Sequence, residues 1–283
     1  KQPSNTPRSV EIEAKLDQAV AYHQAGQLQQ AEQICQQILD INPQNADVLN
    51  LFGLIACQIG KYEIAGDLIN YALEIDPNQP LFLNNLGLVL KEQDRLEEAI
   101  DVYYQALEIQ PDSVGIYNNL GVALHKQGKW EKAVEAYQKA VQIQPDYVAA
   151  YNNLGIIWQK QGKLEQAIQV YHKTLVIRPN YPQAHNNLAN TLKEQGKLKQ
   201  AVQAYHKAIE INPGYADAHK NLGIALLLQS EFQQGWREYE WRLKSDDLCI
   251  GNRDQTRWDG SSLNGKTILL YAEQGFGDTI QFI

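Results

Sequence analysis

The sequence has 283 residues, of which 44% are hydrophobic and 20% are charged, and its formal net charge is −8. This acidic balance argues against a general nucleic-acid binder, because neutralising phosphates requires a basic face. No uninterrupted apolar run approaches the roughly 18 to 20 residues that a membrane-spanning helix needs. The three cysteines are odd in number and have no metal-type spacing, which favours a reduced, cytoplasmic setting.

Proline punctuates the chain at a fixed period of 34 residues, at Pro43, Pro77, Pro111, Pro145, Pro179 and Pro213. Small residues recur in the same phase at two further places of the unit. One column is Ala31, Ala65, Ala99, Ala133, Ala167, Ala201 and Gly235. The other column is Gly53, Gly87, Gly121, Gly155, Ala189 and Gly223. A fixed period of this length is typical of stacked structural repeats.

One unit of the repeat shows why these residue types recur. Residues 114–126 and 129–143 carry apolar side chains at spacings of three and four, which predicts two amphipathic helices. A glycine inside a helix costs about 1 kcal/mol relative to alanine, so Gly121 requires a packing reason. We expect Gly121 and Ala133 to let the two helix backbones approach closely, with aromatic side chains filling the space beside them. Pro145 ends the second helix, because proline cannot continue the hydrogen-bond ladder.

These small, aromatic and proline residues at fixed offsets resemble the tetratricopeptide repeat pattern over residues 10–244. The resemblance implies an all-α fold, a right-handed superhelical solenoid of about seven helical hairpins. It also implies that the first helices line a concave groove and that the second helices form the outer wall. Extended concave surfaces of this kind bind proteins or peptides, so we expect a protein-interaction scaffold.

Asparagines recur on the first helices, where a hydrophobic core does not require them. The sequence reads Asn-Asn-Leu-Gly at 84–87, 118–121 and 152–155, and closely similar tetrapeptides follow at 186–189 and 220–223. An asparagine amide offers a donor and an acceptor, which suits a peptide backbone of any sequence. The second asparagines resemble the asparagine ladder that grips an extended polypeptide in O-linked N-acetylglucosamine transferases. The predicted peptide-binding residues are Asn85, Asn119, Asn153, Asn187 and Asn221, flanked by Asn84, Asn118, Asn152 and Asn186.

Two alternatives stay open for these polar residues. The asparagines can instead bridge adjacent hairpins and bind no ligand. Beside them, five basic residues are candidates for facing the groove and favouring an acidic ligand, unless they belong to a solvated helix face. They are Lys91, His125, Lys126, Lys160 and Lys193.

Neither catalysis nor metal binding is expected within the repeats. His185 and His219 replace tyrosines of other repeats and are predicted to be packing residues, because they lack the close helical spacing of a zinc pair. We find no nucleophile–base arrangement there, and the sequence predicts no metal site and no catalytic residue.

After residue 244 the pattern changes. Residues 245–266 are polar and predicted to be a linker, and residues 267–283 read as a strand, a glycine-rich turn and the start of a helix. With Trp236, Trp241 and Trp258, the turn Gly275-Phe-Gly-Asp278 resembles bacterial proteins in which tetratricopeptide repeats precede a glycosyltransferase-like domain of the heptosyltransferase type. The resemblance implies the truncated first elements of an α/β domain that is inactive without its second lobe.

By this resemblance Asp278 is a weak candidate for an acid/base residue of a complete transferase, with a nucleotide sugar as the cosubstrate. The alternative is a helix N-terminal residue stabilised by the helix dipole. Three hypotheses therefore follow from the sequence. The chain is a peptide-binding scaffold, the substrate-docking arm of a larger glycosyltransferase, or a protein that self-associates through the ends of its solenoid.

Overall fold

The structure is a computed structural model that describes residues 7–244. The predicted linker at 245–266, the predicted α/β elements at 267–283 and Asp278 lie outside the described residues. Within 7–244 the chain forms 14 α-helices and a 3₁₀ helix (Glu240–Lys244), and it contains no strand. The prediction of an all-α repeat region is confirmed.

The chain divides into two units, Lys1–Asn180 and Tyr181–Ile283. The helices of the first unit pair into five hairpins. They are α1 (Pro7–Gln24), α2 (Leu28–Ile41), α3 (Ala46–Gln58), α4 (Tyr62–Ile75), α5 (Pro80–Glu92), α6 (Leu96–Ile109), α7 (Val114–Lys126), α8 (Trp130–Ile143), α9 (Val148–Lys160) and α10 (Leu164–Ile177). The second unit has two hairpins, formed by α11 (Pro182–Glu194), α12 (Leu198–Ile211), α13 (Ala216–Leu228) and α14 (Phe232–Tyr239).

A residue with positive φ joins the two helices of each hairpin. At Gly128 φ is 80°, and Asp94 occupies the same place one hairpin earlier with φ 61°. The N–H of Lys129 donates to the carbonyl of Leu124 at 2.9 Å, and the N–H of Gly128 donates to that of His125 at 3.0 Å. These bonds satisfy carbonyls at the end of α7, and glycine is favoured in the turn because it has no Cβ to clash.

The glycine column of the first unit lies against buried tyrosine rings. A Cβ added to Gly121 would stand 2.5 Å from Cε1 of Tyr137, and one added to Gly155 would stand 2.5 Å from Cε1 of Tyr171. Both rings are buried. Small residues were predicted to let the helix backbones approach each other, and at these positions the glycine instead admits the tyrosine ring, because only a hydrogen atom fits between the helix and the ring.

In the second unit the small residues of the first helices have different neighbours. A Cβ on Gly223 would stand 2.5 Å from the backbone nitrogen of Tyr239, so here the glycine meets a main chain instead of a ring. In the other hairpin the glycine position is Ala189, which is buried together with Tyr205. The Tyr205 hydroxyl donates to Oδ1 of Asn190 at 2.6 Å.

The first helices form the inner side of the first unit. Each of α1, α3, α5 and α7 contacts the first helix of the next hairpin, whereas no two second helices of this unit touch each other within the described range. Because neighbouring hairpins approach more closely at their first helices, the stack curves toward that side. The inner face of the first unit therefore consists of residues from α1, α3, α5, α7 and α9.

Candidate functional site

Asparagine side chains link neighbouring hairpins across the inner face of the first unit. Nδ2 of Asn119 on α7 donates to Oδ1 of Asn84 on α5 at 2.9 Å. Nδ2 of Asn153 on α9 donates to Oδ1 of Asn118 on α7 at 3.1 Å. In each case the second asparagine of one hairpin bonds to the first asparagine of the hairpin before it. The amides thus bridge hairpins, as one of the two sequence-based alternatives predicted.

These bridges leave part of each amide unused. Asn119 and Asn153 are half-buried, and their Oδ1 atoms accept no hydrogen bond from the described residues and are not sealed from solvent. Asn118 accepts through Oδ1, and its Nδ2 has no acceptor in residues 7–244 and is likewise not sealed. One amide group therefore holds the hairpins together and still presents an acceptor or a donor to the groove.

The bridge at the N-terminal side is different, because it is buried. Nδ2 of Asn85 donates to Oδ1 of Asn50 at 2.9 Å, and the two residues are only 4% and 5% exposed. Nδ2 of Asn84 lies 3.5 Å from Oδ1 of Asn85, at the limit of a hydrogen bond. Asn85 was predicted to be the first ligand-binding residue, and the structure places it between α3 and α5. Its partner Asn50 was not singled out from the sequence, although it occupies the register of Asn84.

The second unit repeats the bridge once. Nδ2 of Asn221 on α13 donates to Oδ1 of Asn186 on α11 at 3.2 Å. Asn186 is buried, as is Asn152 of the first unit, whereas Asn187 and Asn221 are half-buried. Lys220 replaces the first asparagine of the pair and forms an ion pair with Asp217 at 2.9 Å.

An aliphatic stripe accompanies the amides in the first unit, and the sequence reasoning missed it. It consists of Leu54, Leu88, Val122 and Ile156, all of which are half-buried. Each lies four residues after the first asparagine of its helix and therefore shares a helix face with it. The sequence signal was an aliphatic residue four positions after the first asparagine of each helix.

Two of the basic candidates on this unit are lysines without an ion pair among the described residues. Lys126 and Lys160 are exposed and form no ion pair with any of residues 7–244. Each follows its stripe residue by four positions, so it lies one helical turn beyond the stripe on the same face. Lys91 instead pairs with Glu92 at 2.9 Å.

Electrostatic shifts in this region reflect burial and neighbouring charges. The hydrogen bond from Lys91 lowers the pKa of Glu92, and the charge of Lys126 lowers it further. Partial burial lowers the pKa of His125, and the positive charge of Lys160 adds to that effect. Burial likewise lowers the pKa of Lys193 in the second unit. The structure therefore brings His125 near Lys160 and Lys126 near Glu92.

His219 is a packing residue, in agreement with the prediction. It is buried and stacks on Trp241 with ring centroids 3.9 Å apart. Its Nδ1 lies 2.5 Å from a carboxylate oxygen of Glu238, and its Nε2 lies 3.1 Å from the carbonyl of Pro213. These contacts tie the end of the second unit to α13.

Two other kinds of feature are absent from the part of the chain that the structure describes. Among residues 7–244, no group of three or more histidine, cysteine, aspartate or glutamate side chains is arranged to hold a metal ion. No helix in that range combines the length and apolarity that crossing a bilayer requires.

The chain belongs to the tetratricopeptide repeat family. A TPR repeat profile matches residues 89–128, 123–162 and 159–196, and tetratricopeptide repeat profiles match residues 182–215 and 22–86. Together these matches cover more than half of the sequence. No match was found among curated proteins.

Solved structures share the fold at low sequence identity. A chain of the APC/C hetero-tetramer Cut9–Hcn1 has a TM-score of 0.67 and 18% identity, over 76% of this protein and 43% of that chain. PilF of Pseudomonas aeruginosa has a TM-score of 0.61 and 22% identity, over 71% of this protein and 97% of that chain. YrrB, described as a TPR protein with an unusual peptide-binding site, has a TM-score of 0.50 and 22% identity, over 65% of this protein and 95% of that chain.

Proposed function

We propose that this protein is a scaffold whose inner face binds an extended polypeptide through its asparagine amides. One observation carries the proposal. Asn119 and Asn153 keep an accessible Oδ1 acceptor while their Nδ2 groups brace the hairpins. The likeness to YrrB, which is described as having a peptide-binding site, supports the same class of ligand.

The bridges prepare the amides for binding. A side chain that is already held in one orientation loses little conformational entropy when a ligand arrives. Each open Oδ1 can accept from a backbone N–H of a ligand, and the open Nδ2 of Asn118 can donate to a backbone carbonyl. Because both contacts address the main chain, they impose little requirement on the ligand's side chains.

The test compares an open bridge with a sealed one. A displayed library of linear peptides is screened against the protein, and the affinity of the selected peptides is measured by fluorescence anisotropy. Peptides of about 12 residues are long enough, since an extended chain covers about 3.3 Å per residue and four packed helices span about 40 Å.

The variant N119A/N153A removes both open acceptors and two bridges, and we expect it to weaken binding about tenfold or more. The matched control is N50A, which breaks the sealed bridge to Asn85 and exposes no ligand group. We expect N50A to lower the midpoint of thermal unfolding while leaving the affinity within about twofold. Equal loss of affinity in the two variants would assign the asparagines to structure alone.

A second proposal, from the sequence resemblance, is that this face delivers polypeptides to a glycosyltransferase domain. It rests on the predicted turn that contains Asp278, together with Trp236 and Trp241. Calorimetry with a nucleotide sugar, carried out on a protein that includes both lobes of the transferase domain, tests it. Binding supports the proposal, and failure to bind any nucleotide sugar contradicts it.

A further inference from the structure

The aliphatic stripe and the open amides form two parallel rows on the inner face of the first unit. The stripe residues Leu54, Leu88, Val122 and Ile156 are contributed one per hairpin, and open Oδ1 acceptors accompany them on α7 (Asn119) and α9 (Asn153). A ligand that uses both rows must repeat with the spacing of the hairpins. This requirement, which rests on the proposed function, restricts the conformation of the ligand.

We propose that the ligand is a polyproline-II-type segment with an apolar side chain at every third residue, seated on the aliphatic stripe. Packed helices lie about 8–10 Å apart, and the first helices here are in contact and joined by amide bridges. A polyproline II helix repeats every three residues and rises about 9.3 Å in that interval. Its third, sixth and ninth side chains therefore arrive at successive hairpins.

A β-strand ligand fits this spacing less well. Side chains on one face of a strand are about 6.8 Å apart, so they fall out of register with the hairpins by about 2 Å at each step. After three steps the accumulated mismatch equals about one side-chain repeat, so a strand misses the second and third hairpins by about 2 Å each and regains the register only at the fourth. A polyproline II segment stays in register along α3, α5, α7 and α9.

The polar row suits the same conformation. A polyproline II backbone makes no internal hydrogen bonds, so its N–H and C=O groups are free for a partner. The open Oδ1 atoms of Asn119 and Asn153 supply one acceptor on α7 and one on α9, and these two acceptors are separated by one hairpin, which corresponds to three ligand residues. A segment with two prolines in each triplet keeps one N–H per triplet and meets this demand.

Charged residues beyond the stripe favour one orientation of the ligand along the inner face. Lys126 and Lys160 lie beyond the stripe on α7 and α9 and have no ion-pair partner in residues 7–244, whereas α5 has Glu92 in the same register. An acidic side chain is therefore favoured in the two triplets that face α7 and α9 over the one that faces α5, where Glu92 is paired with Lys91. The occupant we infer is an apolar, proline-rich segment that is acidic toward one end.

In the second unit the row is interrupted before Ile224, the half-buried aliphatic residue at this position of α13. In the α11–α12 hairpin the equivalent residue is Asn190, whose Oδ1 accepts from the hydroxyl of Tyr205. That position is polar and already bonded. The proposal therefore concerns Leu54, Leu88, Val122 and Ile156 alone.

The test uses synthetic peptides of defined period. The probe is a labelled peptide of four Leu-Pro-Pro triplets. The comparison peptide has the same composition, but its four leucines alternate with single prolines and the remaining prolines follow. We expect the first peptide to bind at least about tenfold more tightly by fluorescence anisotropy. V122Q/I156Q is expected to lose about tenfold of that affinity, because each change withdraws apolar contact. V176Q, on the exposed side of α10, serves as the control and should bind like the parent.

Two further peptides carry Glu in place of one proline in the first two or in the last two triplets. Tighter binding of one of them, lost in K126A/K160A, supports the charge assignment, and equal binding of both overturns it. If the two leucine spacings bind equally and N119A/N153A weakens both, the period-three inference fails and the proposed function stands. If neither spacing binds while library peptides do, the inference fails in the same way. If no linear peptide binds at all, the proposed function fails.

Discussion

The α5–α6 hairpin of the first unit and the α11–α12 hairpin of the second place a tyrosine opposite the same position of the first helix. In the first unit that position is Gly87, and a Cβ there would stand 2.6 Å from Cε1 of Tyr103. The hydroxyl of Tyr103 is buried and has no hydrogen-bond partner within the described residues. In the second unit the position is Ala189, and the hydroxyl of Tyr205 bonds to Asn190.

The difference concerns the residue that follows the small residue of the first helix, Leu88 or Asn190. This residue either contributes an apolar side chain to the inner face or bonds to the buried tyrosine hydroxyl. In the α5–α6 hairpin the residue after the glycine is Leu88, which joins the apolar row of the inner face, and the hydroxyl of Tyr103 has no partner within the described residues. Where that residue is Asn190, the hydroxyl is satisfied and the apolar row is interrupted. The aliphatic residue Leu88 is therefore accompanied by an unsatisfied buried hydroxyl on Tyr103, which costs stability.

The largest expected loss of stability concerns Gly223, which packs against the main chain of Tyr239. G223A would place a Cβ 2.5 Å from the nitrogen of Tyr239, and a backbone cannot move aside as a side chain can. We expect the free energy of unfolding to fall by about 2–3 kcal/mol despite the better helix propensity of alanine. Urea unfolding followed by circular dichroism measures it. G115A, which would meet no atom within 4 Å, is the control and should be neutral or stabilising.

A smaller loss of stability is expected when Gly87 is replaced by alanine, the residue at the equivalent position, 189, of the second unit. G87A pushes the ring of Tyr103, and we expect a net loss of about 1–2 kcal/mol. The double variant G87A/L88N reproduces the Ala189–Asn190 pair and supplies an acceptor for the displaced hydroxyl. Unfolding midpoints should recover part of the loss in the double variant. If L88N instead adds its own loss to that of G87A, satisfaction of the tyrosine hydroxyl does not explain the difference between the two hairpins.

Removing the tyrosine hydroxyl should lower stability in the α11–α12 hairpin but not in the α5–α6 hairpin. Y205F leaves Asn190 without its donor and is expected to cost about 1 kcal/mol. Y103F removes a buried hydroxyl that has no partner among the described residues, so stability should stay level or rise. Thermal unfolding of the two variants at one pH provides the comparison. A loss of the same size in Y103F would show that its hydroxyl is satisfied.

The smallest effect is a pH dependence at equivalent positions of the two units. Burial and Lys160 lower the pKa of His125 below its usual 6.5, so the unfolded chain binds the proton more tightly than the folded one. Stability from this group is therefore present above about pH 6.5 and is lost as the pH falls through the folded-state value. H125Q should lose less stability than the parent between about pH 7 and pH 5. Lys193 holds this register in the second unit, and K193Q should leave the slope in that range unchanged.

Much of the hairpin architecture was readable from the residues. The 34-residue period, Gly128 in the turn and Pro145 after the second helix predicted α7 and α8 to within a residue at each end. These features are local, because helix periodicity, a left-handed turn residue and a missing N–H act within a few positions of the chain. The columns of small residues also predicted close helix contacts.

The partners of the asparagines were not readable in the same way. The Asn119–Asn84 and Asn85–Asn50 bridges each join residues 35 positions apart, one residue longer than the repeat. One residue is a step of about 100° around a helix, so the first asparagine of a pair faces the following hairpin and the second faces the preceding one. The offset arises from side-chain packing between hairpins, and a sequence period cannot report it.

The sequence by itself determined the class of fold, the place of each helix and the rows of residue types, because these depend on short-range conformational preferences repeated seven times. Only the tertiary structure decided which amides are sealed and which remain open. Asn85 and Asn153 have the same neighbours in sequence, yet Asn85 is 4% exposed and Asn153 is half-buried with an open acceptor. Burial depends on what the adjoining hairpin places over a side chain, so it appears only when the hairpins are stacked.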